Sequence, residues 1–192
     1  MAGKVNKKLL NQQILNSPAV KKMVAEILNK EVEQYKADLI NEFSNHPVTQ
    51  ELDGGENASN ISGTLGGYGN LFSFIGFNRG SNPTEPILSL LKKIRLNKRG
   101  KFVNGSYQFQ INIPSESELS NSSRLPWEGG RSWLFDIEKT ISGIGSYLFA
   151  RTQSSRSGTG IQIKNTGFSR SFRSVKYFGT MYKNFLKKIN NI

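Results

Sequence analysis

The chain contains no cysteine and a single histidine, His46, among its 192 residues. The first absence excludes a disulfide framework, thiol catalysis and a cysteine-ligated zinc site. The second excludes a zinc site built on two or three histidines and leaves a Ser-His triad only one possible base. No apolar run approaches the roughly 18 to 20 residues that a bilayer span needs, and the N-terminal MAGKVNKKLLNQQ has no apolar stretch of signal-peptide length. The sequence therefore predicts a soluble, intracellular protein with no membrane contact. Four Asn-x-Ser sequons, at Asn57, Asn60, Asn104 and Asn121, read as ordinary turn residues in such a chain. Apolar residues are also scarce, at 36% with a mean hydropathy of -0.46. Full disorder is nevertheless excluded, because 12 Phe, 6 Tyr and 2 Trp are far more aromatic mass than an unfolded polar chain carries. The length fits one domain over residues 1–192, with residues 1–17 as an N-terminal tail.

Acidic residues are missing from the whole stretch after Arg151. That stretch carries Arg151, Arg156, Lys164, Arg170, Arg173, Lys176, Lys183, Lys187 and Lys188, and so supplies nine of the net twelve positive charges. Lys92, Lys93, Arg95, Lys98, Arg99 and Lys101 form a second block without acids, whereas eight of the 14 acids lie within residues 26 to 56. Such blocks suit either a polyanion, through counterion release, or an acidic surface on a neighbouring subunit. The asymmetry alone favours subunit or solvent contacts, with direct nucleic-acid contact kept as the alternative.

Periodicity predicts an α+β domain with a long N-terminal helix, a small, mostly antiparallel sheet and a C-terminal helix. Ser17-Pro18 is a helix start, and Val20, Met23, Val24, Ile27, Leu28, Tyr35, Leu39 and Phe43 recur at helical spacing up to His46-Pro47. This stripe packs on the monomer's own core or partly on a neighbour. Residues 45–80 hold eight glycines and read as an extended arm. Its middle, Gly63 to Asn70 with Tyr68, lacks the Lys-Ser/Thr of a phosphate-binding loop. Its apolar end, Leu71, Phe72, Phe74, Ile75 and Phe77, reads as a buried strand or as an anchor inserted into a neighbour. A short helix is expected from Pro83 to about Lys93, and a half-buried strand through Tyr107, Phe109, Ile111 and Ile113. Ser115 to Pro126 reads as an exposed loop. A short helix is expected over Arg131–Ile141, strands over 143–149 and 159–164 around a loop at Arg151 to Gly158, and a closing helix from about Phe172 to Ile189.

Few residues are placed for chemistry. Asp136 and Glu138, two apart on a helix, diverge; the remaining acid pairs lie in loops, without the ladder of a calcium site. His46 reads as a helix-end residue. Trp127, Arg131 and Trp133 form either a stacking platform or the core of a tight turn. No cofactor, metal or catalytic group is expected, and hence no enzyme.

The blocks His46-Pro47-Val48-Thr49-Gln50-Glu51-Leu52, Ala58 through Phe77 with its Gly-Asn-Leu-Phe-Ser-Phe-Ile-Gly-Phe core, and Leu125-Pro126-Trp127-Glu128-Gly129-Gly130-Arg131-Ser132-Trp133 resemble a family of small virion proteins of tailed bacteriophages, the neck or tail-completion proteins. The similarity extends over most of the chain from about residue 20. It implies a non-enzymatic subunit of a homo-oligomeric ring at the head-to-tail connector or the tail end, assembled in the host cytoplasm into the virion beside other phage neck, connector or tail proteins, with contact to packaged DNA or to acidic protein surfaces left open for the basic blocks. On that reading, Tyr68, Leu71, Phe72, Phe74, Ile75, Phe77, Trp127, Arg131 and Trp133 are interface candidates.

Overall fold

A computed structural model describes residues 14–66, 69–103, 106–126, 130–139 and 173–192. Helix α1, Pro18–Asn45, begins where the sequence places it: the Ser17 hydroxyl accepts from the Val20 N–H, and Pro18 occupies the first turn, where its missing N–H costs nothing. It ends at His46, whose Nδ1 in turn accepts from the Val48 N–H at 3.2 Å and caps α2, Pro47–Asp53. Helices α3 (Leu71–Ile75), α4 (Glu85–Lys92), α5 (Glu116–Ser122), α6 (Trp133–Lys139) and α7 (Phe178–Ile189) follow, with the antiparallel strands β1 (Arg95–Val103) and β2 (Ser106–Asn112) between α4 and α5. The domain is α+β, with a long N-terminal helix, a small antiparallel sheet and a C-terminal helix.

At 28 residues and 1.5 Å per residue, α1 is a spine about 42 Å long. Ala25, Val32, Leu39 and Phe43 form its buried line. The hairpin packs along it, as do α4 and α7. Phe43 stacks on Tyr177 and meets Phe178 edge to face at 5.6 Å, joining the two ends of the chain in one aromatic core.

The glycine-rich segment departs from the expectation of an extended arm. Glu51, on α2, is fully buried and holds it down. Its Oε1 accepts from the Leu71 N–H at 2.7 Å and from Asn60 Nδ2 at 2.8 Å; its Oε2 accepts from the Ser62 N–H at 3.0 Å. A carboxylate taking three N–H donors replaces much of its lost hydration, and here it gathers both ends of the loop. Asn60 also accepts from the Leu65 N–H. The apolar run after it is neither a strand nor an anchor. It is the short helix α3, capped by Asn70, which accepts from the Ser73 N–H, and closed by Gly76 in the left-handed region at φ 85°. Leu71, Phe72 and Ile75 are 0 to 2% exposed, and Phe74 and Phe77 are half-buried against the same core. Leu71, Phe72 and Ile75 find their cover within the chain and are not available as an interface, while Phe74 and Phe77 keep part of their surface.

Three further differences have local causes. The basic block 95–101 forms most of β1, whose alternation is hidden in the sequence by charged side chains and by a bulge. Ser115 to Ser122 is not a loop: Ser115 and Glu118 make a reciprocal capping box that starts α5. The closing helix begins at Phe178 rather than Phe172. There the Glu138 carboxylate accepts from the N–H groups of Tyr177 and Thr180, the latter at 3.0 Å, and the missing Cβ of Gly179 leaves room for it. The expected strands at 143–149 and 159–164, the loop between them, most of the N-terminal tail, Tyr68, Trp127 and Arg170 lie outside the described residues.

Candidate interaction surfaces

Two surfaces stand out once the core is assigned. The first is on α1. At 100° per residue Val20, Met23, Val24 and Ile27 share one side of the helix, well away from the buried line. Met23 is 62% exposed and Ile27 55%, while Val20 and Val24 are half-buried. Ile14 and Leu15, just before the helix, are also exposed. The predicted apolar stripe thus divides: its C-terminal half enters the core, and its N-terminal half is left outside.

The second surface is the hairpin. Pairing sets Leu96 opposite Ile111 and Phe102 opposite Tyr107 on the inner face, and Arg95 opposite Asn112, Asn97 opposite Gln110 and Lys101 opposite Gln108 on the outer face. Between Asn97 and Lys101, β1 carries two more residues than β2 carries between Gln108 and Gln110. This bulge holds Lys98 and Arg99. The Asn97 side chain accepts from the Arg99 N–H at 3.1 Å and shapes the turn of the bulge. Gly100 permits the return: a Cβ there would lie 2.5 Å from the Phe109 ring. Arg95, Lys98, Arg99 and Lys101 are all exposed. At the base of the hairpin a groove of about 640 Å³ brings Lys92, Lys93 and the half-buried Lys36 together with Glu118; Lys36 Nζ donates to the Ile94 carbonyl at 3.3 Å and pairs with Glu33.

Neutralisation separates the two basic blocks. Among the described residues no carboxylate lies within ion-pair distance of Lys93, Arg95, Lys98, Arg99 or Lys101, and only Lys92 reaches one, Glu85 at 4.0 Å. The C-terminal block is more engaged. Lys188 approaches Asp38 at 3.9 Å and lies 5.6 Å over the Tyr35 ring, both on α1. Lys183 borders a cleft of about 890 Å³ together with Glu116, Asp136 and Glu138. Lys176 and Lys187 are exposed, and Arg173 ties its backbone N–H to the Thr64 carbonyl at 3.2 Å.

Trp133 is 1% exposed and meets Phe77 edge to face, so it is core and not a stacking platform. Arg131 Nε pairs with Asp136 at 3.0 Å on the rim of the cleft. His46 is half-buried against Tyr177, and desolvation holds its pKa below the usual 6.5 although the Lys176 backbone, Glu42 and Glu138 pull the other way. A neutral imidazole suits its role as the acceptor that caps α2. Among the described residues no group of His, Asp and Glu is arranged to hold a metal ion, and no helix is long and apolar enough to cross a membrane.

Sequence reading missed Glu51, the residue that orders the glycine-rich segment, because a lone glutamate before a loop gives no sign of burial. It also missed the hairpin, for which a signal was present: Val103 pairs with Ser106, so the connecting dipeptide is Asn104-Gly105, the pair most favoured in two-residue hairpins.

The fold defines an α+β domain with a basic hairpin and an apolar helix face left uncovered by the described residues. No family model matches the chain, and no curated protein or solved structure is significantly similar to it.

Proposed function

We propose that this chain is a non-enzymatic structural subunit of a tailed-phage virion, self-associating in the neck, the head-to-tail connector or a tail-completion ring. The observation that carries the reading is the exposed N-terminal half of α1. Met23 and Ile27, 62% and 55% exposed on a capped and otherwise well-packed helix, find no cover among the described residues. Apolar side chains grouped on one face mark a contact site. The flanks of the stripe carry both signs, Lys22, Lys30, Glu26 and Glu31, which suits a second copy of the chain better than a uniformly charged partner. The resemblance of the blocks His46–Leu52, Ala58–Phe77 and Leu125–Trp133 to neck and tail-completion proteins supports the virion setting. The interface assigned by sequence to Leu71, Phe72 and Ile75 moves to α1, because those residues are spent on the chain's own core.

Native mass spectrometry tests this. The wild-type chain is expected to populate multiples of 21.5 kDa at tens of micromolar. Met23→Glu with Ile27→Glu is expected to leave a monomer with unchanged circular dichroism, since each buried anchor is worth about 2 kcal/mol of association. A wild type that stays monomeric, or a double variant that still associates, contradicts the assignment.

A further inference from the structure

The hairpin carries four exposed cations, Arg95, Lys98, Arg99 and Lys101, and its chemistry selects a partner. We propose that its outer face and bulge form a binding surface for the phosphate backbone of double-stranded DNA. Arg95 and Lys101 project from β1 on the same face as Asn97, Gln108, Gln110 and Asn112; Lys98 and Arg99 stand exposed at the bulge, Lys98 bordering a pocket with Lys21, Lys22 and Glu26 of α1. The face therefore offers cations interleaved with neutral amides that donate hydrogen bonds, and none of its own side chains is a carboxylate. Both kinds of donor serve phosphate oxygens.

An acidic protein surface is the competing partner, and the composition of the face argues against it. Stable protein interfaces bury an apolar or aromatic centre, with charge kept to the rim. Here every aromatic residue of the hairpin is turned inward: Phe102 and Tyr107 stack edge to face, and Phe109 lies over Gly100. Val103, at the tip, is the one large apolar residue exposed on the described strands. DNA interfaces, in contrast, are polar, wet and strongly positive. A two-stranded ribbon is also of a size that a major groove admits, and the hairpin's own acids do not neutralise it, since neither strand contains one. In the described part of the C-terminal basic block, Lys188 is instead drawn to Asp38 and Tyr35.

The proposal stands apart from the self-association of α1 and is tested separately. Fluorescence anisotropy of a labelled random-sequence 25-base-pair duplex measures binding by the full chain across 50 to 200 mM salt. Four phosphate contacts give a slope of about -3.6 in log K against log salt, or about 150-fold weaker binding over that range. Arg95→Gln, Lys98→Gln, Arg99→Gln and Lys101→Gln together are expected to remove that slope while the thermal transition stays in place, because all four side chains are exposed. Lys183→Gln with Lys187→Gln removes charge from α7 and is the control. It is expected to change the slope by less than one unit, and an equal loss in this control means binding through net charge alone and overturns the proposal. Absence of salt-dependent binding at 50 mM also overturns it. So does a quadruple variant that keeps its DNA affinity but loses binding to polyglutamate, which identifies an acidic-protein site instead. The Met23→Glu, Ile27→Glu variant is expected to retain the same slope per chain.

Discussion

Replacing Glu51 by Ala removes the carboxylate that holds Asn60, Ser62 and Leu71 together. The Leu71 N–H, at the start of a helix whose first two side chains are fully buried, then has no partner, at a cost of about 1 to 3 kcal/mol. The Ser62 N–H and the Asn60 amide are half-buried and turn to water, for about 1 kcal/mol each. The sum is about 4 kcal/mol, which for a domain of this size lowers the melting temperature by roughly 8 to 16 °C. Glu51→Gln keeps one acceptor oxygen and places an NH2 group against a donor, so about half that loss is expected. Urea denaturation of the purified chain measures both. Hydrogen exchange adds location: amides 60 to 75 are expected to lose protection in Glu51→Ala before those of α1 do. A loss below 1 kcal/mol, or uniform loss of protection, refutes the view that this one carboxylate orders the glycine-rich segment.

Phe72→Ala is expected to destabilise the monomer by about 3 to 5 kcal/mol in the same denaturation assay, because a fully buried ring leaves a cavity; a surface anchor would leave monomer stability unchanged. Burial lowers the His46 pKa in the folded state, so its contribution to stability is expected to be complete above about pH 6.5 and lost as pH falls through the lowered value. His46→Asn, which retains a capping side chain, is expected to abolish that part of the pH dependence of the melting temperature. Gly179→Ala places a Cβ 2.5 Å from the Glu138 carboxylate and is expected to cost about 0.5 to 2 kcal/mol through the lost cap. In a Glu138→Ala background the same change is expected to cost much less, and additive losses would show that the contact is not the cause.

Local signals made some elements legible and long-range ones hid the others. Ser17-Pro18 and His46-Pro47 bracket α1 because cap and proline chemistry act within a few residues. Tyr107, Phe109 and Ile111 disclose β2 because one of its faces is buried and the other wet. β1 shares that arrangement, but its bulge breaks the period of two and Gly100 stands where an apolar side chain would have marked the inner face. Five large apolar residues in seven do not separate a short helix from a strand; the Asn70 cap and the left-handed Gly76 that decide it are visible as residue types only after the helix is known. Glu51 is the deepest omission. Its burial depends on donors nine to twenty positions away, and no window along the chain brings them together. The basic residues were legible as charge, while their different fates were not: β1 turns one block outward, and α7 sets part of the other against α1.

The proposed virion assignment is tested most directly by quantitative mass spectrometry of virus particles purified from cells that produce this chain. A structural ring subunit is expected at a fixed, low copy number per particle, retained through density-gradient purification and lost from particles assembled with the Met23→Glu, Ile27→Glu variant. Abundant chain in infected cells together with its absence from purified particles would contradict the account.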